Sequence, residues 1–497
     1  MKLYLHGHDY KYAVEQIMLI LLPEQRPEYP DTQPQPGDIW ASSSLTQSDG
    51  LMQAVTRISL GDQVSEASSQ VETSQLTDAL TRDRLLQRIL KQSFYKAALP
   101  LLDQAPDWGA LTGIRPAKLA SRALEEGLTE EETRARFRQE YFVSPQRTEL
   151  ALEAAKAGLE IKRSLRPEEL SLYIGIPFCP TRCAYCSFVS ADVQKALKLV
   201  TPFLEALDKE IDAVAAILPK AGAVIRSIYI GGGTPTTLSA EQLDHLLDHI
   251  RSAFDLSRLS EFTVEAGRPD TITLEKMAVL RRHNVDRVSV NPQSMEDHVL
   301  QAMGRNHTAA DIITAYNTAR EAGLSAVNMD LIAGLPKDTV EGFRYTMDTV
   351  LAMDPENITV HTLALKKGSR LMMERQGLPT GAETAQMLDY AWSSLAKAGY
   401  RPYYLYRQKY MSGALENIGW CKPGFEGLYN VCIMEELHTI LALGAGGSTK
   451  LTDPSTGRIV RMTNPKYPYE YIQRIDQLCQ EKEELIPFHQ TLLSKEV

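Results

Sequence analysis

The sequence predicts an α/β fold, centred on a partial, TIM-like (β/α)6 barrel over residues 166–375 of a 497-residue chain. Three observations predict it. Apolar, β-branched runs alternate with amphipathic helical segments, each run ends in polar or glycine residues, and the first run ends in three cysteines spaced C-x3-C-x2-C. Strand–helix alternation implies a parallel sheet with right-handed crossovers, and such barrels carry their working residues at the C-terminal strand ends. An α+β accessory region, 1–165, precedes the barrel, and a smaller region, 376–497, follows it as a cover for the substrate.

The chain opens LYLHGHDYKYAVEQIMLILL, a short strand and an amphipathic helix. His6 and His8 flank a glycine, and with no third ligand in view they read as strand-end residues. From Pro23 to Glu72 the chain is rich in Pro, Ser, Gln, Asp and Gly, which predicts exposed hairpins and loops. Helical patterns follow at 78–99, after the turn at Gly113 and Pro116, at 129–139 and at 144–164; Arg115, Lys118 and Arg122 read as a solvated helix face. The Arg166-Pro167 step marks a boundary, because a residue before proline is biased away from helix.

Core strands are expected at 171–178, 226–231, 261–265, 286–290, 326–333 and 357–365, with helices at 201–218, 239–254, 273–284, 308–322 and 339–353. Ser239 and Gln242 form a capping box ahead of the apolar face Leu243, Leu246 and Leu247. The first strand delivers Cys179, Cys183 and Cys186. The second runs into Gly231, Gly232, Gly233 and Thr234, where missing Cβ atoms allow close backbone approach and a hydroxyl is at hand. The third ends at Glu265, a carboxylate suited to a ribose diol or an ammonium. The fourth ends in Asn291, Pro292, Gln293 and Ser294, the fifth carries Asp330, and the sixth ends near His361, Thr362 and Ala364. Core packing does not explain polar side chains at successive strand ends.

Three thiolates on one tight loop can each ligate one iron of a [4Fe-4S] cube, leaving the fourth iron open. The alternatives are a structural zinc site, which wants four protein ligands, and a cluster of buried thiols. No histidine lies between His8 and His245, and the next cysteine is Cys421. The remaining cysteines, Cys421, Cys432 and Cys479, are scattered, which argues against a disulfide framework and for a reducing cytoplasm. A net charge of -10 weighs against nonspecific nucleic-acid binding. No segment approaches the roughly 20 apolar residues of a membrane span.

Taken together, YIGIPFCPTRCAYC, GGGTPT, VEAGRPD, VNPQS, GRNHT, MDLIAGLP and TVHTLALK resemble the oxygen-independent coproporphyrinogen III oxidase family of radical S-adenosylmethionine (SAM) enzymes, nearest its coproporphyrinogen dehydrogenase branch. The resemblance implies that Cys179, Cys183 and Cys186 hold the [4Fe-4S] cluster. It implies that Tyr173, Tyr185, Gly232, Gly233, Thr234, Glu265, Gln293, Arg305, Asp330 and Ala364 contact SAM, of which one or two molecules bind. Lys450 falls at another matching position. A one-electron reductant such as flavodoxin or ferredoxin would feed the cluster, and a 5′-deoxyadenosyl radical would convert two propionates of coproporphyrinogen III into the vinyls of protoporphyrinogen IX. The resemblance names no catalytic side chain beyond these.

Two positions depart from that pattern. Phe188 stands where established oxidases have a fourth cysteine, and Gly175 where they have a histidine. A haem-carrying branch of the family shares the phenylalanine, so a haem-binding delivery protein is the alternative expectation. Glu416 stands where that branch has a histidine, which favours the enzyme. Beyond the barrel a helix is expected at 382–398 and a strand at 402–409. Tyr404, Tyr406, Arg407 and Lys409 are the residue types that would meet a flat, carboxylate-bearing tetrapyrrole, while Cys421 and Cys432 read as packing thiols.

Overall fold

Contacts in the computed structural model, which describes residues 1–35, 37–186, 191–364, 377–408 and 411–495, separate two units: Met1–Leu152 with Gly413–Leu415, and Glu153–Ser412 with Glu416–Val497. The partition falls inside the helix Pro145–Ser164 rather than at Arg166-Pro167, and residues 416–497 group with the core.

In the first unit, β1 (Lys2–His6) runs parallel to β2 (Ile39–Ser48), which is antiparallel to β3 (Leu51–Leu60), as β3 is to β4 (Gln63–Glu72). Much of the stretch expected as exposed hairpins and loops is therefore three ten-residue strands. Its composition conceals them because only alternate residues are apolar. Leu45, Met52, Ala54 and Val71 pack on Leu86, Ile89 and Leu90 of the helix Ala79–Ala98, and Ser43, Thr56 and Ser69 are buried as well, Thr56 bonded to Ser93 of that helix at 2.8 Å. Asp49 and Gly50, both at positive φ, close the first hairpin. His8 Nε2 lies 3.2 Å from the Ser43 carbonyl, and His6 is exposed at the strand end.

In the second unit, β5 (Glu169–Ile176) leads into a two-residue pair, β6 (Phe178–Cys179) with β7 (Ala191–Asp192). Then β8 (Val224–Gly232), β9 (Glu261–Glu265), β10 (Arg287–Ser289), β11 (Ala326–Ala333) and β12 (Asn357–Thr362) lie beside β5 in chain order, all parallel. The helices Val193–Ala221, Ala240–Ala253, Leu274–Arg282, Ala309–Glu321, Val340–Met353 and Gly381–Lys397 follow the six strands in turn. The α/β barrel of six units is thus present. Capping boxes at Ser239/Gln242, Thr308/Asp311 and Thr380/Glu383 start three of these helices by satisfying otherwise orphaned N–H groups.

The sheet continues past both edges of that barrel. β13 (Arg401–Tyr406) and β14 (Asn417–Cys421) add antiparallel strands beyond β12, and β15 (Ile440–Gly444) lies parallel to β5 on the opposite edge, followed by antiparallel β16 (Ser448–Asp453) and β17 (Arg458–Thr463). A buried polar cluster anchors β15. Glu210, on the helix Val193–Ala221, accepts hydrogen bonds from Gly444 N–H at 2.7 Å, Asn464 Nδ2 at 2.9 Å and Tyr471 OH at 2.6 Å, and pairs with Lys482 at 3.3 Å. Those partners satisfy a charge that would otherwise be costly to bury. Cys421 and Cys432 are buried packing thiols. Among the described residues no helix is long and apolar enough to cross a membrane.

Candidate functional site

The C-terminal ends of the parallel strands open into a cavity of about 440 Å3, lined by residues of β8 to β12 and of the cysteine loop that follows β5. Cys179, Cys183 and Cys186 line it as partly exposed cysteines. Cys186 N–H donates to the Cys183 carbonyl at 3.1 Å, closing a tight turn, and Ala184 N–H donates to the Met303 carbonyl at 3.0 Å. The sulfurs also have donors of their own. Thr234 Oγ1 lies 3.6 Å from Cys179 Sγ, and Arg268 Nη1 lies 3.7 Å from Cys183 Sγ. Arg268 is buried and aimed by Thr181 Oγ1 at 3.0 Å and by Asp270 at 3.1 Å. Sequence reasoning passed over Arg268 as part of the segment after Glu265; its only signal was its place one turn beyond a functional strand end.

The glycine run brings the end of β8 against the cluster loop. Gly233 N–H donates to Ile176 O, and Thr234 N–H to Phe178 O, both at 2.7 Å. A Cβ at Gly233 would stand 2.5 Å from Phe178 O, and Gly232 sits at φ +106°, which only glycine adopts readily. The close approach that these glycines permit is thus first of all backbone to backbone, and it carries the Thr234 hydroxyl to the sulfur.

Glu265, at the end of β9, accepts a 2.6 Å hydrogen bond from Tyr229 OH. Burial pushes its carboxyl up to about 7; the Tyr229 bond opposes this and the charge of Asp330 adds to it. Burial would raise Asp330 as well, but His361, 3.8 Å away, and Asn328 Nδ2, at 2.8 Å, hold it below the usual carboxylate range. Gln293, at φ +68°, bridges to β11: its N–H donates to Asp330 O at 2.9 Å and its carbonyl accepts from Ile332 N–H at 3.0 Å. Arg305 donates to Asn291 O at 2.8 Å and to Tyr185 OH at 3.1 Å, while its buried Nε has no hydrogen-bond partner among the described residues. Ala364 bridges to Met411 at the cavity edge.

Of the residues expected to contact the cofactors, all but Tyr173 and Lys450 line this cavity. Tyr173 lies behind it, stacked on Tyr229 and Tyr429 at ring separations of 6.3 and 6.1 Å. Lys450 lies in β16, opposite Arg461, and is not part of the lining. Tyr404 and Tyr406 of β13 stack on one another at 6.3 Å and line the cavity. Arg407, expected beside them, does not: alternation along the chain turns it to the other face, where it is buried near the Glu416 carboxylate. Burial lowers its guanidinium to about 10 against the pull of Glu416. Ser187, Phe188 and Lys409 lie outside the described residues. At Gly175 a Cβ would stand 2.5 Å from Ala445 O, so the turn after β15 fills the space where a histidine would have to go.

Tyr229, Asn328 and Thr359, not singled out from sequence, also line the cavity. Asn328 was legible in principle, since period-two alternation puts it on the same strand face as Asp330.

The donor set fits the expected cofactors. Three soft thiols converge without a further cysteine in the lining, two of their sulfurs have hydrogen-bond donors, and carboxylates and a buried guanidinium line the same cavity.

A family model of the radical SAM superfamily matches residues 173–350. The chain is 41% identical over 380 residues to the Bacillus subtilis (strain 168) protein called oxygen-independent coproporphyrinogen-III oxidase-like protein HemZ, covering 76% of each chain. It is 31% identical over 317 residues to the heme chaperone HemW of Haemophilus influenzae, covering 63% of this chain and 78% of that one. Among solved structures, coproporphyrinogen III oxidase (HemN) from Escherichia coli, described as a radical SAM enzyme, superposes with a TM-score of 0.52 at 25% identity, over 65% of this chain and 73% of that one.

Proposed function

Given that the chain belongs to the oxygen-independent coproporphyrinogen-III oxidase-like family of radical SAM proteins, we propose that it catalyses the oxidative decarboxylation of coproporphyrinogen III to protoporphyrinogen IX. The observation that carries this reading is one cavity lined by three thiols, by Glu265, Arg305 and Asp330, and by Tyr404 and Tyr406. Cys179, Cys183 and Cys186 would hold a [4Fe-4S] cluster whose open iron takes SAM. Cluster and SAM, when bound, supply a one-electron reduction and a hydrogen-abstracting radical.

The chain's own residues bind and orient. Glu265 and Asp330 are acceptors for the ammonium and hydroxyls of SAM, and Arg305 is a fixed cation whose Nε has no hydrogen-bond partner among the described residues. Thr234 and Arg268 donate to the sulfurs of Cys179 and Cys183, and with a cluster held there they would favour its reduced, more negative state. Tyr404 and Tyr406 offer flat faces to a tetrapyrrole. A flavodoxin- or ferredoxin-like protein is the proposed electron donor.

The test is anaerobic reconstitution with iron and sulfide, then incubation with reductant, SAM and coproporphyrinogen III. Protoporphyrinogen IX together with 5′-deoxyadenosine supports the proposal; deoxyadenosine without decarboxylated product overturns it. The similarity to HemW favours a second reading, haem binding and delivery. Stoichiometric haem uptake by the same preparation, with no decarboxylation, would support that reading instead.

A further inference from the structure

On the outer side of the barrel, away from the thiols, four side chains of two neighbouring helices converge. His245 and His249 lie one turn apart on the helix Ala240–Ala253, and Asp208 and Asp212 lie one turn apart on the helix Val193–Ala221. Asp208 is shared: its Oδ2 lies 2.9 Å from His245 Nε2 and its Oδ1 lies 2.9 Å from His249 Nδ1. The other ring nitrogen of His249, Nε2, lies 2.8 Å from Asp212 Oδ1. Asp208 and His249 are half-buried, while His245 and Asp212 are exposed. Neither carboxylate has a lysine or arginine partner among the described residues.

We propose that Asp208, His245 and His249 form a binding site for a zinc-class divalent cation, with Asp212 as a positioning residue for His249. One ligand atom from each of the three residues already lies within 4.8 Å of the others. Tetrahedral zinc with bonds of about 2.0–2.1 Å holds its ligands roughly 3.3 Å apart, so small rotamer adjustments suffice. Two imidazoles and one carboxylate select zinc, cobalt or nickel over magnesium or calcium, which prefer oxygen alone. Asp212 completes the pattern usual for a metal-bound histidine, accepting from the ring nitrogen that does not bind the metal and so fixing the tautomer. On binding, the cation replaces the protons that the two rings share with Asp208. It then clasps the helix that follows the cluster loop to the next helix of the barrel.

The experiment uses cluster-loaded protein under anaerobic conditions, so that the three cysteines are occupied. Zinc is titrated against a chromophoric chelator, and cobalt(II) is added separately to read visible absorption. The expected result is one zinc per chain beyond background. His245→Gln/His249→Gln loses it, and Asp212→Asn keeps the stoichiometry with affinity about 10- to 100-fold lower. Zinc also raises the unfolding temperature of the native chain and leaves that of the double variant unchanged. Cluster absorbance of each variant reports that the barrel has folded. No zinc uptake by the native chain, or equal uptake by the folded double variant, overturns the proposal.

Discussion

Tyr185, one residue ahead of the last cluster-loop cysteine, accepts a 3.1 Å hydrogen bond from Arg305, whose other terminal nitrogen donates to the Asn291 carbonyl at 2.8 Å. The arginine fork thereby ties the cluster loop to the end of β10. A lysine keeps the charge but cannot span both acceptors. Arg305→Lys is expected to weaken SAM binding roughly 10- to 100-fold, the worth of one or two charge-assisted hydrogen bonds, with iron content unchanged. Calorimetric SAM titration beside an iron assay checks this; equal loss of iron would count against it.

Glu265 has a pH signature. Its carboxyl is pushed up to about 7 from an ordinary value of 4.5, chiefly by burial, so the native state holds extra protons between those limits. The stability it contributes is therefore greatest on the acid side and is lost as pH rises through about 7. Glu265→Gln is expected to stabilise the chain by about 2–3 kcal/mol at pH 8 and to change little at pH 4.5. SAM binding by the native chain should weaken below pH 7, as the carboxylate is protonated, and should be poor at every pH in the variant. Urea unfolding and SAM titration at three pH values read both effects.

Restoring a histidine at Gly175 is expected to fail. The Cβ would meet Ala445 O at 2.5 Å, a backbone atom that cannot rotate aside. Gly175→Ala should already cost about 1–3 kcal/mol, and Gly175→His more, without any gain in decarboxylation. Thermal unfolding and product analysis of the two variants decide it.

Arg407 is expected to act on stability rather than on substrate. Its removal would leave Glu416, 1% exposed, without its neighbouring cation. Arg407→Met is expected to destabilise by about 3–5 kcal/mol while KM for the tetrapyrrole stays within twofold. A raised KM in a normally stable variant would reverse that assignment.

The six barrel strands and the helices after them were legible because each rests on local pattern, period-two runs and capping pairs, and polar strand ends pointed to Cys179, Glu265 and Asp330, whereas Tyr185 and Arg305 came only from the family resemblance. Where partners are distant in the chain, local pattern fails. β15 is five apolar residues whose periodicity distinguishes nothing, and its place beside β5 depends on Glu210 and Asn464. β2 to β4 were obscured because Ser and Thr stand on their buried face as well as on their outer one, which blurs the period-two pattern. Arg407 was assigned to the wrong face by residue type alone, since chemistry suited to a propionate is equally suited to a buried glutamate. Tyr173 faces a stack of tyrosines that only the tertiary fold assembles.

The edge pairing of β5 also sets a clock. Ser171, on the strand leading to the cysteines, bonds His438 at 2.8 Å across 267 residues of chain. At about 5–20 residues per second of synthesis, β5 waits on the order of ten to fifty seconds for that neighbour. Throughout this interval the three thiols have left the ribosome on a strand with one edge still open. A chain truncated before β15 should therefore be prone to aggregate through that edge.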